Sequence, residues 1–343
     1  MKHTTFLFLL LFFVTSFSFR AAAQEKPWMK YITPSGYYQA GYRITDAGGG
    51  DNSFYVLRAR VALSGCLFED RFGKFEYKVQ AELASSPKLV DYWVKYTMRD
   101  EFGIEFGQFK TPLSLENSEY VPLKLEMIDY SLLVQRFVRM SLLDVSGISS
   151  TGRDMGLMFF GKALKLGENH HLLHYEAGIF NGNGINKFDD DHRKDFIARV
   201  RVFPLQDLSI AGYYMRSLGY MDEVPIYNDY DYRVLDRYGM AINYDSKYAW
   251  LRTEYMAGHT FGWRGEGAYV TAGWKITPTF NVGARCDYFT NNSRQAGHDQ
   301  WYYTAGMSWY PFHRLRLQLN YMYKQEADRS VTHLVNLMTS VIL

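Results

Sequence analysis

The chain has 343 residues, of which 47% are hydrophobic, 22% are charged and 17% are aromatic. This apolar content excludes a disordered chain, and 28 Gly with only 9 Pro exclude collagen-like or Pro-rich material. The 2 cysteines are too few for a disulfide-rich scaffold or for a zinc site built on four thiolates.

The amino-terminal residues have the pattern of an export signal. Lys2 precedes an unbroken apolar run at 6–14, and the small residues 21–23 form a cleavage site. We therefore expect a secretory signal peptide over 1–23, too short to span a membrane, and a mature domain over 24–343. Lys2 and Arg20 leave with this segment, so 36 basic residues face 36 acidic ones, and this neutral balance argues against a nucleic-acid partner.

Alternation of polar and apolar residues then dominates the chain. Between Lys74 and Leu83 every even position is polar or charged and every odd position is apolar. The same pattern recurs at 57–64, 198–202 and 314–320. This period of two predicts strands with one wet and one apolar face. Helical periodicity is weak except near 118–145, where a short helix is expected.

Sixteen candidate strands follow one another along the chain. They lie near 35–44, 54–68, 73–84, 89–98, 103–109, 153–161, 172–180, 195–203, 208–218, 233–244, 248–259, 267–276, 279–290, 299–309, 314–324 and 331–343.

The connections between these strands alternate in length. One set is short, as at 69–72 and 204–207, although the member at 162–171 is longer. The other set is generally longer and polar, and its third member, 110–152, is the longest. This alternation predicts an all-β fold, a transmembrane antiparallel β-barrel of about 16 strands in the bacterial outer membrane. A secreted soluble β-protein remains an alternative.

Aromatic residues gather toward the predicted strand ends, where a lipid-facing barrel carries two interfacial girdles. We expect this of the following residues: Tyr37, Tyr38, Tyr42, Tyr213, Tyr214, Trp301, Tyr302, Tyr303, Trp309 and Tyr310.

Four stretches resemble the phosphate-selective porin O and P family. They are Leu57–Val61, Phe106–Pro112, Gly152–Gly156, and Tyr175–Gly182 followed by Lys194–Val200. The resemblance implies a sixteen-stranded barrel, a homotrimer, and a long third external loop folded into the lumen as a constriction. It also implies uptake of anions, in some members phosphate, along lumen arginines and lysines.

Basic residues on the predicted wet face are the candidate anion-binding site. By alternation these are Arg58, Arg60, Lys74, Lys78, Arg199 and Arg201. Arginine suits phosphate because its planar fork donates two hydrogen bonds at once. Arg58 and Arg60 also fall where the family places basic lumen residues. Glu76 and Glu82 interleave with the lysines, so these side chains are equally consistent with an ordinary wetted barrel wall.

The long connection adds Lys124, Arg136 and Arg139 as candidate constriction residues, but it carries more acids than bases. This departs from a phosphate-binding constriction. A porin for small anionic solutes is therefore predicted beside three alternatives: a non-selective or cation-preferring porin, a channel for another solute and, as the weakest, a barrel enzyme. No Gly-x-Ser-x-Gly or metal-ligand spacing marks an enzyme, a metal site or a cofactor.

Overall fold

A computed structural model of the chain describes residues 31–84, 86–139, 151–168, 170–189, 193–219, 233–260 and 263–343. The predicted signal peptide at 1–23 lies outside the described residues. Sixteen strands are present: β1 (Thr33–Thr45), β2 (Asp51–Asp70), β3 (Gly73–Glu82), β4 (Lys88–Arg99), β5 (Phe102–Lys110), β6 (Arg153–Gly167), β7 (His170–Phe180), β8 (Asp195–Leu205), β9 (Leu208–Gly219), β10 (Arg233–Asp245), β11 (Ala249–Thr260), β12 (Trp263–Thr277), β13 (Phe280–Thr290), β14 (Asp299–Phe312), β15 (Leu315–Gln325) and β16 (Val331–Ile342).

Each strand pairs antiparallel with its sequence neighbours, and the last pairs with the first to close a barrel. The closing register runs from Tyr37 opposite Ile342 to Thr45 opposite Leu334. Closure leaves no strand edge unpaired, which is the condition for crossing a bilayer with strands. The predicted sixteen-stranded antiparallel barrel is confirmed.

Successive residues point alternately into the lumen and toward the outside. On β8, Phe196 and Val200 are 44% and 48% exposed on the outer face, whereas Arg199 is 2% exposed on the inner face. On β15, Leu319 faces outward and Arg316 is buried inside. The apolar half of each alternating segment is therefore the outer face of the barrel, as the sequence pattern predicts.

The same alternation corrects the prediction of the aromatic girdles. Tyr37, Tyr213 and Tyr302 are buried inside the barrel, whereas their neighbours Tyr38, Tyr214 and Tyr303 are exposed outside. Adjacent residues of a strand point to opposite faces, so two consecutive tyrosines cannot both belong to a lipid-facing girdle.

The predicted long connection at 162–171 is wrong. β6 continues to Gly167 and β7 starts at His170. The pairing register shifts between Lys165 and Gly167, and Leu164 has a positive φ of 58°. This irregularity allows the hairpin to extend although the alternation of apolar residues is broken there.

Between β5 and β6, residues 111–152 form what we call the inner loop, described for 111–139 and 151–152. It contains helix α1 (Leu115–Glu119) and helical turn α2 (Leu132–Val134), which continues into a single π-helical turn (Gln135–Arg139). In the described ranges no helix has the length and hydropathy to cross a membrane.

Apolar side chains of the inner loop pack inside the barrel. Leu115, Leu125 and Leu133 are at most 2% exposed and belong to one cluster. Its barrel residues come mainly from β9–β16, including Tyr269 and Phe289, and four come from β5–β8, namely Phe109, Met158, Phe180 and Ile197. The loop therefore lies against one side of the lumen, the side formed by β9–β16. The space that remains lies on the side formed by β1–β8.

Candidate pore constriction

A buried carboxylate on β11 holds the start of the inner loop. Glu254 is 1% exposed. Five donors reach its oxygens, namely Leu115 N (2.9 Å), Glu116 N (2.7 Å), Ser114 Oγ (3.2 Å), Tyr213 Oη (3.0 Å) and Tyr269 Oη (2.6 Å). An ionised carboxylate only accepts, through about four lone-pair sites, so these five donors use its full accepting capacity.

Two arginines, on β13 and β15, bind the middle of the inner loop. Arg285 donates to the backbone oxygens of Asp129 (2.8 Å) and Tyr130 (3.3 Å). Arg316 donates to those of Leu123 (3.0 Å) and Leu125 (2.6 Å).

Two further contacts on this side involve loop side chains and loop amides. Arg252 pairs with the carboxylates of Glu116 (3.3 Å) and Glu126 (2.7 Å). Asp287 accepts from the backbone N–H of Leu132 at 3.0 Å. These charge-assisted bonds fix the loop at several heights of the barrel.

Between the inner loop and β1–β8 lies a cavity of about 270 Å³, which we call the lumen cavity. Its lining includes five basic and four acidic side chains: Arg60, Lys78, Lys110, Arg153, Arg199, Asp91, Glu105, Glu119 and Glu176. Tyr37, Trp93, Phe109, Pro112, Val121, Pro122 and Met158 supply most of its apolar lining.

Three of the predicted site residues line this cavity, and each is ion-paired. Arg60 Nε lies 2.8 Å from Glu82 Oε2, in a pair whose side chains are both almost fully buried. Lys78 Nζ lies 3.1 Å from Asp91 Oδ2. The same carboxylate also binds Arg153, with 2.5 Å between Oδ1 and Nε.

Arg199 joins the wall to the inner loop. Its guanidinium binds Glu176 on β7 at 2.6 Å and Glu119 on α1 at 2.7 Å. Arg201 binds the other oxygen of Glu119 at 3.2 Å. Burial by itself would raise the pKa of Glu119, but the guanidiniums of Arg199 and Arg201 outweigh it and lower that pKa below its ordinary value.

Arg58 differs from the other predicted wall residues. It is 8% exposed and donates from Nη1 to the neutral side chain of Gln39 at 2.8 Å. Among the ion pairs of the described residues, none includes Arg58. Tyr37, on the neighbouring strand, is 8% exposed, and no described residue hydrogen-bonds its hydroxyl.

The remaining predicted residues lie elsewhere. Lys74 pairs with Glu76 at 2.8 Å and does not line the lumen cavity. Lys124 is exposed on the inner loop, and Arg136 interacts with Tyr302 on β14. The backbone of Arg139 ends the π-helical turn, but its side chain lies outside the described part of the structure. The expectation that these loop residues line the constriction gains no support from the cavity.

The sequence reasoning did not select Lys110, Arg153, Asp91 or Trp93. Lys110 and Arg153 flank the inner loop and stand inside the stretches that carry the family resemblance. Asp91 and Trp93 share the inward face of β4 and could have been found by alternation. Gly107, opposite Trp93 with a φ of 126°, admits no side chain, because a Cβ there would lie 2.3 Å from the backbone oxygen of Tyr92.

A closed antiparallel barrel with an apolar outer face and a charged lumen narrowed by an inner loop defines an outer-membrane porin. The chain belongs to the phosphate-selective porin O and P family, whose model matches residues 35–206 and 249–341. It is therefore a channel and not an enzyme.

Solved structures support this fold. An anion-selective porin from Comamonas acidovorans is 12% identical, with 91% of this chain and 99% of that chain covered and a TM-score of 0.72. The outer membrane channel DcaP of Acinetobacter baumannii is 12% identical, with 94% and 100% covered and a TM-score of 0.65. OmpT of Vibrio cholerae, in trimer form, is 11% identical, with 91% and 100% covered and a TM-score of 0.65. No curated protein matches the sequence.

Proposed function

We propose that this porin admits small hydrophilic solutes by passive diffusion and prefers anions to cations. One observation carries the preference: with Glu82, the ion-pair partner of Arg60, the lumen cavity has five basic and five acidic side chains, and the nearby Arg58 adds a positive charge that makes no ion pair among the described residues. A narrow passage with an excess of fixed positive charge attracts anions and repels cations. The description of the family as phosphate-selective supports the same class of solute.

The predicted wall residues take different parts in this proposal. Arg60, Lys78 and Arg199 face the passing solute, Arg58 and Arg201 lie beside it, and Lys74 contributes outside the cavity. Because most of these charges are compensated by carboxylates, the preference is expected to be moderate. The same pairing favours a second candidate, a general porin without ion preference.

Planar-bilayer recording in a KCl gradient tests the proposal and separates the two candidates. We expect a reversal potential on the anion side, reduced in Arg58→Gln because that change removes an uncompensated positive charge. Lys247→Gln is the control, since Lys247 is exposed in the turn between β10 and β11, away from the lumen. A zero or cation-selective potential in the unaltered protein would reject the anion preference.

We also propose that the protein assembles as a homotrimer. The proposal follows the family resemblance, and OmpT of Vibrio cholerae was solved in a trimer form. The mass of the detergent-solubilised protein, measured by light scattering, tests it. A monomeric mass under conditions that keep the barrel folded would contradict it.

A further inference from the structure

We propose that the lumen cavity is a binding site for small organic acids that combine one negative charge with a flat apolar group, such as aromatic monocarboxylates. The inference rests on the proposed function, because it names the kind of anion that the passage retains. It follows from the charged side of the cavity, from its apolar side and from the Tyr37 hydroxyl, which has no hydrogen-bond partner among the described residues.

The charged side favours a single negative charge. Lys78, Arg153 and Arg199 already bind carboxylates of the cavity, and Arg60 binds Glu82 beside it. With the nearby Arg58 counted, six basic and five acidic side chains leave an excess of one positive charge. A monoanion matches this excess. A multiply charged ion such as phosphate meets the four carboxylates as well, and like charges in a poorly solvated site repel strongly.

The apolar side favours an organic rather than an inorganic anion. Trp93 and Phe109 reach the cavity from β4 and β5, and Val121 and Pro122 reach it from the inner loop. Val121 is 40% exposed although most apolar side chains of the inner loop are buried. An apolar ring that covers these side chains removes their surface from water, which an inorganic ion cannot do.

Tyr37 supplies a donor with no other use in the described structure. Its side chain is buried, its hydroxyl has no hydrogen-bond partner among the described residues, and it lines the same cavity. Arg60 is its register partner on β2, with the guanidinium carbon 5.9 Å from the Tyr37 ring centre. A buried polar group without a partner is costly, and a bound carboxylate would satisfy it.

The cavity also has the required size. Its volume of about 270 Å³ exceeds the ~150 Å³ of an engineered protein cavity that binds benzene. A benzene ring carrying one carboxylate therefore fits between the inner loop and β1–β8 with room for water.

Block of the single-channel current in KCl tests the proposal with benzoate, acetate and phosphate as probes. We expect benzoate to reduce the current at a concentration lower than either of the others. Trp93→Ala should raise the half-blocking concentration of benzoate by about 3- to 10-fold, the value of a good aromatic contact. The same change should leave the half-blocking concentration of phosphate unaltered.

Three further variants keep the test decisive. Trp93→Phe should retain most of the benzoate block, and Val121→Ser, a change in the loop that leaves every strand intact, should weaken it. Trp250→Phe is the control, because Trp250 is buried on the opposite side of the lumen, on β11. A difference in gel migration between unheated and heated samples, equal to that of the wild type, verifies the folded barrel of each variant.

Two results would overturn the proposal: benzoate no more potent than acetate and phosphate, or a benzoate block unchanged in both Trp93→Ala and Val121→Ser. These results are distinguishable from failure of the proposed function. A KCl gradient reports the anion preference without any organic acid, so either property can fail while the other holds.

Discussion

Glu119 is the residue through which the inner loop reaches the basic side of the lumen. It is the only loop carboxylate that contacts both Arg199 and Arg201 among the ion pairs of the described residues. Its negative charge therefore offsets positive charge where solutes pass. Under the proposed function, the balance between these three side chains should set part of the ion preference.

Glu119→Gln should increase the anion preference. Glutamine keeps the size of the side chain and can still accept from Arg199, but it removes one negative charge from the lining of the lumen cavity. The reversal potential in a KCl gradient at pH 7 should move toward the anion side. Glu69→Gln, in the exposed end of β2, is the control and should show no shift. An equal potential in wild type and Glu119→Gln would contradict the assigned part of Glu119.

The pKa of Glu119 gives this difference a pH dependence. Because Arg199 and Arg201 lower that pKa below its ordinary value of 4.5, the carboxylate stays ionised down to about that pH. Its ion pairs add stability above the unfolded-state pKa, and this contribution is lost as pH falls through the folded-state pKa. The difference in reversal potential between wild type and Glu119→Gln should persist at pH 5 and vanish only at pH values below 4.5. A difference that is already lost at pH 6 would show that the arginines do not lower the pKa.

For single residues, the sequence predicted which face of the barrel a side chain points to better than it predicted which residue that side chain contacts. Alternation placed Arg60, Lys78 and Arg199 on the inner face, and the structure agrees. It could not show that Glu119 lies against Arg199, since that contact joins residues 80 positions apart through a loop without a regular pattern. Nor could it separate Arg58 from the ion-paired residues, because pairing depends on side-chain conformations.

Among the elements, the inner loop depends most on tertiary contacts. Its helices are too short to be stable alone, so the barrel wall must hold them. Glu254 does this at the start of the loop by accepting from the first backbone N–H groups of α1. This carboxylate is placed by β11, a long and regular strand, and so positions a segment that has little order of its own.

Glu254→Gln should loosen the inner loop. The amide NH₂ of glutamine cannot accept from the N–H and O–H donors that now point at the carboxylate oxygen it replaces. At least one buried group would be left unpaired, at a cost of about 1–3 kcal/mol. We expect a lower free energy of unfolding and a broader distribution of single-channel conductance.

Glu266→Gln is the matched control for this change. Glu266 is a partly exposed carboxylate on β12 that accepts from Tyr255 at 2.9 Å and does not touch the inner loop. If Glu254→Gln kept both the stability and the conductance distribution of the wild type, Glu254 would not be an anchor of the loop.

For the elements, prediction from sequence succeeded wherever alternation was regular. It missed the extension of β6 and β7 around Leu164, because a bulge breaks the alternation while the pairing continues. It also expected a helix near 118–145 without its bounds. The helical turns α1 and α2 are fixed by contacts with β11 and β13. No sequence pattern marks these contacts.

For the whole molecule, stability requires that the outer face match the lipid. Val200 lies at the middle of β8 and is 48% exposed on that face. Val200→Lys should reduce the free energy of unfolding in lipid by about 2–4 kcal/mol, the cost of a cation near the bilayer midplane. Val200→Leu should change it little. Unfolding in urea from lipid vesicles measures both, and an unchanged stability in Val200→Lys would place β8 away from the bilayer core.

The architecture of the whole molecule was predictable because it follows from two repeated patterns, alternation within strands and alternation of connection lengths. The even strand count makes β1 and β16 antiparallel, so they can close the barrel with the same pairing as the other strands. The division of the lumen into a side filled by the loop and an open side was not predictable. It depends on which wall offers Arg285, Arg316 and Glu254 to the loop, and many inward charges look alike in the sequence.

Arg285 and Arg316 bind backbone oxygens of the inner loop, and every residue type has such an oxygen. These hydrogen bonds therefore do not depend on which side chains the loop carries at 121 and 122, where it faces the cavity. Substitutions there can redirect the pore toward other solutes without detaching its constriction. The residues that contact the solute are thus different from the contacts that hold the inner loop in place. We expect single substitutions at 121 and 122 to change the permeability of the pore.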